Sequence, residues 1–287
     1  MLLVAFSKTM KNPVKMKRKK VACFLVFVLF SVVAFGQESF SLLSWNIRDF
    51  GKTKDKDEIL MIAEIVKGYD IVAIQEVVAG YGGAQAVARL ADQLNRMGHK
   101  WDYTISNPTQ SPPYKAERYA FLWKTPKITL ENAWLDKKTS HIIDREPFLA
   151  RFRIKGKTFT IANYHSRPYT QNPEAEIACF YDYPGRFSYP IIIAGDFNAD
   201  TANPVFIPLY KMGFVPNMRQ QKTTLKRKCD KNDNYKNHAI DFILYPKKYF
   251  RNKWSGVIDF VGSCDNLTDA RLISDHLAVV VVLGIIL

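Results

Sequence analysis

Apolar positions along this chain fall into short runs that end abruptly in polar side chains, and the spacing inside each run separates strands from helices. Residues 39–45, with Phe40, Leu42, Leu43 and Trp45, read as a strand. Residues 57–67 read as a helix, because Ile59, Ile62, Ala63 and Val66 recur at the spacing of one helical face and Gly68 follows as a stop. Residues 70–74 form a short buried strand, and Val87, Leu90, Leu94 and Met97 mark a second helix before Gly98. Further strands are predicted over 119–123, 148–154, 158–163, 191–194, 239–244 and 277–283. Strands outnumber helices and several follow one another directly. That order favours packed sheets with helices outside over a simple doubly wound sheet.

The polar residues that end these runs carry the chemistry. The segment Ile193-Ala194-Gly195-Asp196-Phe197-Asn198-Ala199 places a carboxylate and a carboxamide two positions apart, which in an extended segment puts both on one face at the end of a buried strand. An acid able to orient water or hold a cation, beside a neutral donor for an oxyanion, suits attack on a phosphoryl centre. A turn in which Asp and Asn bond to their own backbone is the bland alternative. Asn46 and Glu76 also end strands, and as hard oxygen donors they suit Mg²⁺. His165 ends the 158–163 strand, and Asp275-His276 precedes the last one, so two imidazoles are available as base and acid. Glu117 and Asp241 are candidate orienting acids; Asp241 lies in an apolar strand and needs a partner there. Any one of these is a cap or turn residue when taken alone. Together they point to a shared active site at one edge of paired sheets.

The 287 residues, 47% hydrophobic, suffice for one large domain with a substantial core, and no internal repeat or low-complexity stretch divides them. Lys15, Lys17, Arg18, Lys19 and Lys20 precede the apolar run 21–35, and Ala34 and Gly36 supply small residues at its end. This pattern predicts a secretory signal over 1–36, which would begin at Met16 if that residue is the start, and a catalytic domain over 37–287. The expected location is secreted or periplasmic, with no stable membrane insertion after cleavage. An uncleaved N-terminal anchor is the alternative, although the run is shorter than the roughly 20 apolar residues of a spanning helix. The net charge of +14 then shrinks, because seven Lys/Arg and no acids lie in 1–36 and leave 34 basic against 27 acidic residues, near +7. This excess suits a polyanionic substrate without naming one. Six Lys/Arg fall in 222–238, either a solvated loop or a phosphate-contacting one. Outside the signal, Cys179, Cys229 and Cys264 permit at most one internal disulfide, and without a Cys-x-x-Cys element they offer no thiolate zinc site.

Trp45-Asn46-Ile47-Arg48, Gln75-Glu76-Val77, Gly195-Asp196-Phe197-Asn198 and Ser274-Asp275-His276, in this order, resemble the endonuclease/exonuclease/phosphatase superfamily from about Phe40 to the C-terminus. Asn46-Ile47-Arg48-Asp49-Phe50-Gly51, Glu117-Arg118-Tyr119 and Arg145-Glu146-Pro147 are similar to stretches of its deoxyribonuclease I branch. The resemblance implies an α/β four-layer sandwich of two central mixed β-sheets flanked by helices, and catalysis with a divalent cation: Mg²⁺, or Mn²⁺ in its place, with a structural Ca²⁺ as a further option. It implies Glu76, Asn46 and Asp275 as metal-site residues, and Asp196 and Asn198 as the water-orienting and phosphate-binding pair. His165 with Glu117 and His276 with Asp241 would be two His–carboxylate pairs, and Arg48 and Arg145 would contact substrate phosphates. The implied substrate is DNA, with no protein partner. A phospholipid of the sphingomyelin type or an inositol phosphate is the alternative within the same superfamily, and a non-catalytic phosphate-binding module is the reading from another class. Departures from the branch are Val78 where it carries an arginine that enters the minor groove, Tyr114 one residue further from Glu117 than its pattern has it, and Thr201 and His238 at its disulfide positions.

Overall fold

The structure is a computed structural model that describes residues 38–112 and 114–286, so the 1–36 segment read as a signal lies outside the described residues. Its strands are β1 (Ser39–Phe50), β2 (Ile71–Val78), β3 (Trp101–Ile105), β4 (Glu117–Lys124), β5 (Thr129–Leu135), β6 (Phe148–Ile154), β7 (Lys157–His165), β8 (Ile191–Asp196), β9 (Phe214–Pro216), β10 (Asp241–Pro246), β11 (Phe250–Ile258) and β12 (Ala278–Ile285). The helices are α1 (Lys56–Val66), α2 (Tyr81–Arg96), α3 (Pro173–Ile177), α4 (Tyr183–Arg186), α5 (Ile207–Lys211) and α6 (Leu267–Ile273). No helix among the described residues is long and apolar enough to cross a membrane.

Two six-stranded sheets result, ordered β11-β12-β1-β2-β4-β3 and β5-β6-β7-β8-β10-β9. Each is mixed: β1 and β2 pair in parallel, as do β7 and β8, and the other pairs are antiparallel. The central strands are buried on both faces, which explains their unbroken apolar runs. In β8, Ile192 and Ala194 join the core between the sheets, whereas Ile191 and Ile193 pack against the outer helices. In β1, Phe40 and Leu42 face the other sheet, and Leu43, Trp45 and Ile47 face α1 and α2. Three apolar layers therefore separate helices, sheet, sheet and helices, which is the predicted four-layer sandwich.

Helix α1 starts at a capping box. The Asp55 carboxylate accepts from the backbone of Asp57 and Glu58 at 2.9 Å, while Glu58 accepts from the Asp55 N–H at 2.9 Å, a reciprocal cap on α1. Between the sheets, Gln75 Nε2 donates to Ser44 Oγ at 3.1 Å and to Asn163 Oδ1 at 2.5 Å, and Asn163 Nδ2 reaches the carbonyls of Ile74 and Ala120. This buried polar bridge ties β1, β2, β4 and β7 together one turn of the pleat below the strand ends that carry the candidate residues.

Candidate active site

Strand pairing places the polar strand ends side by side. Asp196 ends β8 and lies in register with His165 on parallel β7 and with Asp241 on antiparallel β10. Glycine at 195 permits this approach: its φ is 151°, and a Cβ there would overlap the Tyr164 carbonyl oxygen of β7. On the other sheet, the β1–β2 register shifts between Asn46 and Phe50, and the β2–β4 register shifts between Ile74 and Val77. Glu76 sits in that irregularity with φ 58°, a left-handed conformation uncommon for Glu, which re-aims its carboxylate toward Asn46.

The groups converge on Asp196, which is 1% exposed. Its Oδ2 receives Asn46 Nδ2 at 3.2 Å, and it faces His165 Nε2 at 3.5 Å and His276 Nε2 at 3.8 Å. Behind each imidazole stands a carboxylate. His165 Nδ1 lies 3.1 and 3.0 Å from the two oxygens of Glu117, and His276 Nδ1 lies 3.1 and 3.0 Å from those of Asp241. A carboxylate at Nδ1 fixes the ring and leaves Nε2 as the working atom. Asn46 Nδ2 also donates to Glu76 Oε1 at 3.0 Å.

Burial lowers the proton affinity of both rings, but the facing carboxylates outweigh it. For His165, burial and Arg145 oppose the charged form, while Glu117 and Asp196 raise the titration above its ordinary value. For His276, burial is overcome by Asp241 and Asp196, so its pKa is raised to about 10. Burial raises the Asp241 carboxyl, with His276 pulling the other way. Two imidazoles that hold protons readily, aimed at one point from opposite sides, can exchange protons with a phosphodiester lodged between them.

Four other expected residues stand around this centre. Asn198 does not extend β8 on the same face as Asp196: the strand ends at Asp196 and Asn198 adopts φ 47°. Its backbone N–H donates to Asp196 Oδ1 at 3.0 Å and its Nδ2 to the Ser166 carbonyl at 3.2 Å, so the Asp–Asn turn and the site coexist. Arg145, 9% exposed, sends Nε to the His165 carbonyl at 3.1 Å and a terminal nitrogen to the Ser166 carbonyl. It braces the His165 strand end while lining the cleft beside Glu76 and His165. Asp275 pairs with Arg271 at 3.5 Å and lines the cleft on the His276 side. Arg48 is half exposed and lies 3.5 Å from Asp49.

The segment 222–238 is neither a free loop nor a bare charge run. Isolated bridges join Thr224 to His276 and Leu225 to Lys236, Lys226 pairs with Asp230 at 2.7 Å, and Lys236 pairs with Asp259 at 2.7 Å. Cys229 and Cys264 form a disulfide, the only one among the described residues, and Cys179 is a free thiol. That bond closes a small apolar cluster of Leu225, Val261, Leu267, Ala270 and Leu277 beneath the His276 strand end. Position 238 thus carries no cysteine, and the clip lies elsewhere on the same segment.

Two positioning residues escape sequence inspection. Thr223, fully buried, donates to Asp241 Oδ2 at 2.6 Å, and only its place in a charged loop preceding Asp241 hints at it. Ser274 Oγ donates to the Asn46 carbonyl at 2.6 Å and accepts from the His276 N–H at 3.0 Å, tying the end of β1 to the start of its neighbour β12. Ser274 stands in the Ser274-Asp275-His276 motif, but its bonds to Asn46 and His276 are visible only in the structure.

The donor set also fits a hard divalent cation. Asn46 Oδ1 is buried without a hydrogen-bond partner, beside an amide nitrogen that already touches the carboxylates of Glu76 and Asp196. Asp196, Asp241 and His276 form a second possible grouping, with ligand atoms within 4.8 Å of one another, but the Asp241–His276 pairing occupies two of those members.

Residues 43–276 match the Endonuclease/Exonuclease/phosphatase family. The chain belongs to this family. Rat (Rattus norvegicus) deoxyribonuclease gamma is 30% identical over 282 residues, 88% of this chain and 87% of that protein. Bovine (Bos taurus) deoxyribonuclease-1 is 33% identical over 178 residues, 56% of this chain. The chain spans about three fifths of that relative's length, 61%. Among solved structures, a family protein from Leptotrichia buccalis superimposes with a TM-score of 0.62 at 16% identity, covering 84% of this chain and 98% of that one. The human Nocturnin catalytic domain gives 0.60 at 18% identity, covering 86% and 94%. At such identities the structural likeness establishes the shared fold.

Proposed function

We propose that the protein is a secreted or periplasmic, divalent-metal-dependent endonuclease that hydrolyses DNA phosphodiesters with little base specificity. The observation that carries the reading is the convergence of His165 Nε2 and His276 Nε2 on a single oxygen of Asp196, at 3.5 and 3.8 Å, each ring held by its own carboxylate. Similarity to deoxyribonucleases supplies the substrate class.

In this reading Glu76 and Asn46, with Asp275 nearby, hold Mg²⁺ or Mn²⁺, and structural Ca²⁺ stays an option. When bound, the cation supplies Lewis-acid stabilisation of charge on the phosphate oxygens. The chain supplies the rest. One imidazole takes the proton of the attacking water and the other gives a proton to the leaving oxygen. Asp196 orients the water between them, the Asn198 amide reaches a phosphate oxygen, and Arg48 and Arg145 add positive charge on the Glu76 side of the cleft.

A substrate panel tests the reading. Purified 37–287 with Mg²⁺ or Mn²⁺ is given plasmid DNA, sphingomyelin and an inositol polyphosphate. Cleavage of plasmid well above the others supports it. Turnover of the lipid or inositol ester with intact plasmid would move the assignment to that branch, and no hydrolysis of any of them would leave a binding module.

A further inference from the structure

Tyr169 is 72% exposed, and the exposed His238 ring lies 6.4 Å from it, centroid to centroid, tilted by 39°. Both line the same cleft as Asn198 and His276, a hollow of about 640 Å³ beside the Asp196 centre. Each ring is carried by a segment that also supplies a catalytic candidate: Tyr169 follows His165 by four positions, and His238 precedes Asp241 by three.

Neither segment is slack. The Arg167 N–H donates to Glu176 Oε2 at 2.8 Å, and its guanidinium reaches Glu176 Oε1 at 2.8 Å and Asp144 Oδ1 at 2.9 Å. Glu176 is fully buried, so this anchor fixes the turn from which Tyr169 projects. The His238 N–H donates to Thr224 Oγ1 at 2.9 Å, and its carbonyl accepts from the Thr223 N–H at 2.6 Å. Thr223 in turn holds Asp241 at 2.6 Å. The backbone that carries each ring is therefore anchored relative to both His–carboxylate pairs, so a ligand stacking on the rings need not order the segments that present them.

We propose that Tyr169 and His238 form a stacking platform for an unpaired base beside the phosphodiester at Asp196, so that the enzyme favours single-stranded DNA, or a strand opened at that point, over intact duplex. This rests on the nuclease reading above. Two exposed rings offer a flat π-face on which a base stacks, and a bare phosphate has no such face. In an intact duplex both faces of each base are covered by stacked neighbours; an unpaired base has a face to offer.

The test compares wild type, Tyr169→Ala, Tyr169→Phe and His238→Ala on a single-stranded oligonucleotide, the matching duplex and a single strand of tetrahydrofuran abasic residues, which keeps the phosphodiesters and has no aromatic ring. Tyr169→Ala loses about 5- to 150-fold in kcat/KM on the base-bearing single strand, the worth of one base–aromatic stack, and the loss falls mainly on KM. On the abasic strand its loss is at least fivefold smaller. Tyr169→Phe restores most of the single-strand activity, and His238→Ala shows a weaker loss of the same kind. Equal losses on all three substrates, or no loss on the single strand, overturn the platform while the nuclease assignment stands. Quenching of 2-aminopurine in a single-stranded oligonucleotide, measured in EDTA, separates the two claims. If the wild type cleaves no DNA yet quenches the probe and Tyr169→Ala does not, the platform stands and the nuclease reading falls. Absence of wild-type quenching overturns the platform whatever the cleavage result.

Discussion

Replacing Asp241 with Asn keeps the shape of the residue behind His276 and removes its charge. The native carboxylate places its oxygens 3.1 and 3.0 Å from His276 Nδ1, accepts from Thr223 at 2.6 Å, and is a principal reason that His276 titrates near 10. A hydrogen bond to a charged partner contributes about 1.5–3 kcal/mol. If that support is felt fully when the imidazolium forms, kcat falls by roughly 10- to 150-fold, at about 1.4 kcal/mol per factor of ten. The same substitution changes the pH response of the metal-free protein. His276 has a folded pKa raised from 6.5 to about 10, so its contribution to stability is complete below 6.5 and is lost as pH rises through 10. In EDTA, wild type therefore loses more thermal stability between those two values than Asp241→Asn does, and the His276 resonances of the variant titrate nearer the ordinary imidazole value. Plasmid nicking rates and histidine NMR titration provide the assays. A variant within twofold of wild-type kcat, or one whose His276 still titrates near 10, would refute the claim that Asp241 governs this histidine.

Other perturbations probe the frame and the substrate. Gly195→Ala forces a side chain into the Tyr164 carbonyl at a φ of 151°, and a loss of about 3 kcal/mol or more is expected from strain and overlap; a denaturant midpoint equal to wild type would contradict it. Cys229→Ser opens a loop of sequence separation 35, for which chain entropy gives about 4 kcal/mol, so melting falls by several degrees without reductant and the reduced wild type falls to match. Equal melting of oxidised wild type and the variant would show that the clip adds nothing. Duplex DNA affinity, followed by fluorescence anisotropy in EDTA, should drop about tenfold between roughly 50 and 200 mM salt if two phosphates are neutralised. A flat response would remove Arg48 and Arg145 from substrate binding.

The parts of the fold legible in sequence are those buried on both faces. β1, β2, β4, β6, β7, β8, β10 and β12 announce themselves as apolar runs such as Ile191-Ile192-Ile193-Ala194, off by a few residues at the ends. The strands that sequence reasoning missed, β3, β5, β9 and β11, are the four sheet edges. Edge strands such as Thr129–Leu135 and Phe250–Ile258 expose much of their length, so their composition resembles loop. Helices α3 to α6 span four to seven residues, too short for a helical period to register. The site was legible as a set of polar strand ends, because Asn46, Glu76, His165 and Asp196 each interrupt an apolar run. Geometry that depends on pairing was not: the irregularity that turns Glu76, the φ of Asn198, and the Thr223 hydroxyl behind Asp241 follow from neighbours distant in sequence.

Conversion of supercoiled plasmid by purified 37–287 with Mg²⁺, beside an EDTA control and the His165→Ala and His276→Ala variants, tests the central claim most directly. The account predicts nicking that disappears in EDTA and falls on the order of 10²- to 10⁴-fold in each variant, as expected when a residue moves a proton in the limiting step. Wild-type-like nicking by either histidine variant, or nicking indifferent to EDTA, would contradict it.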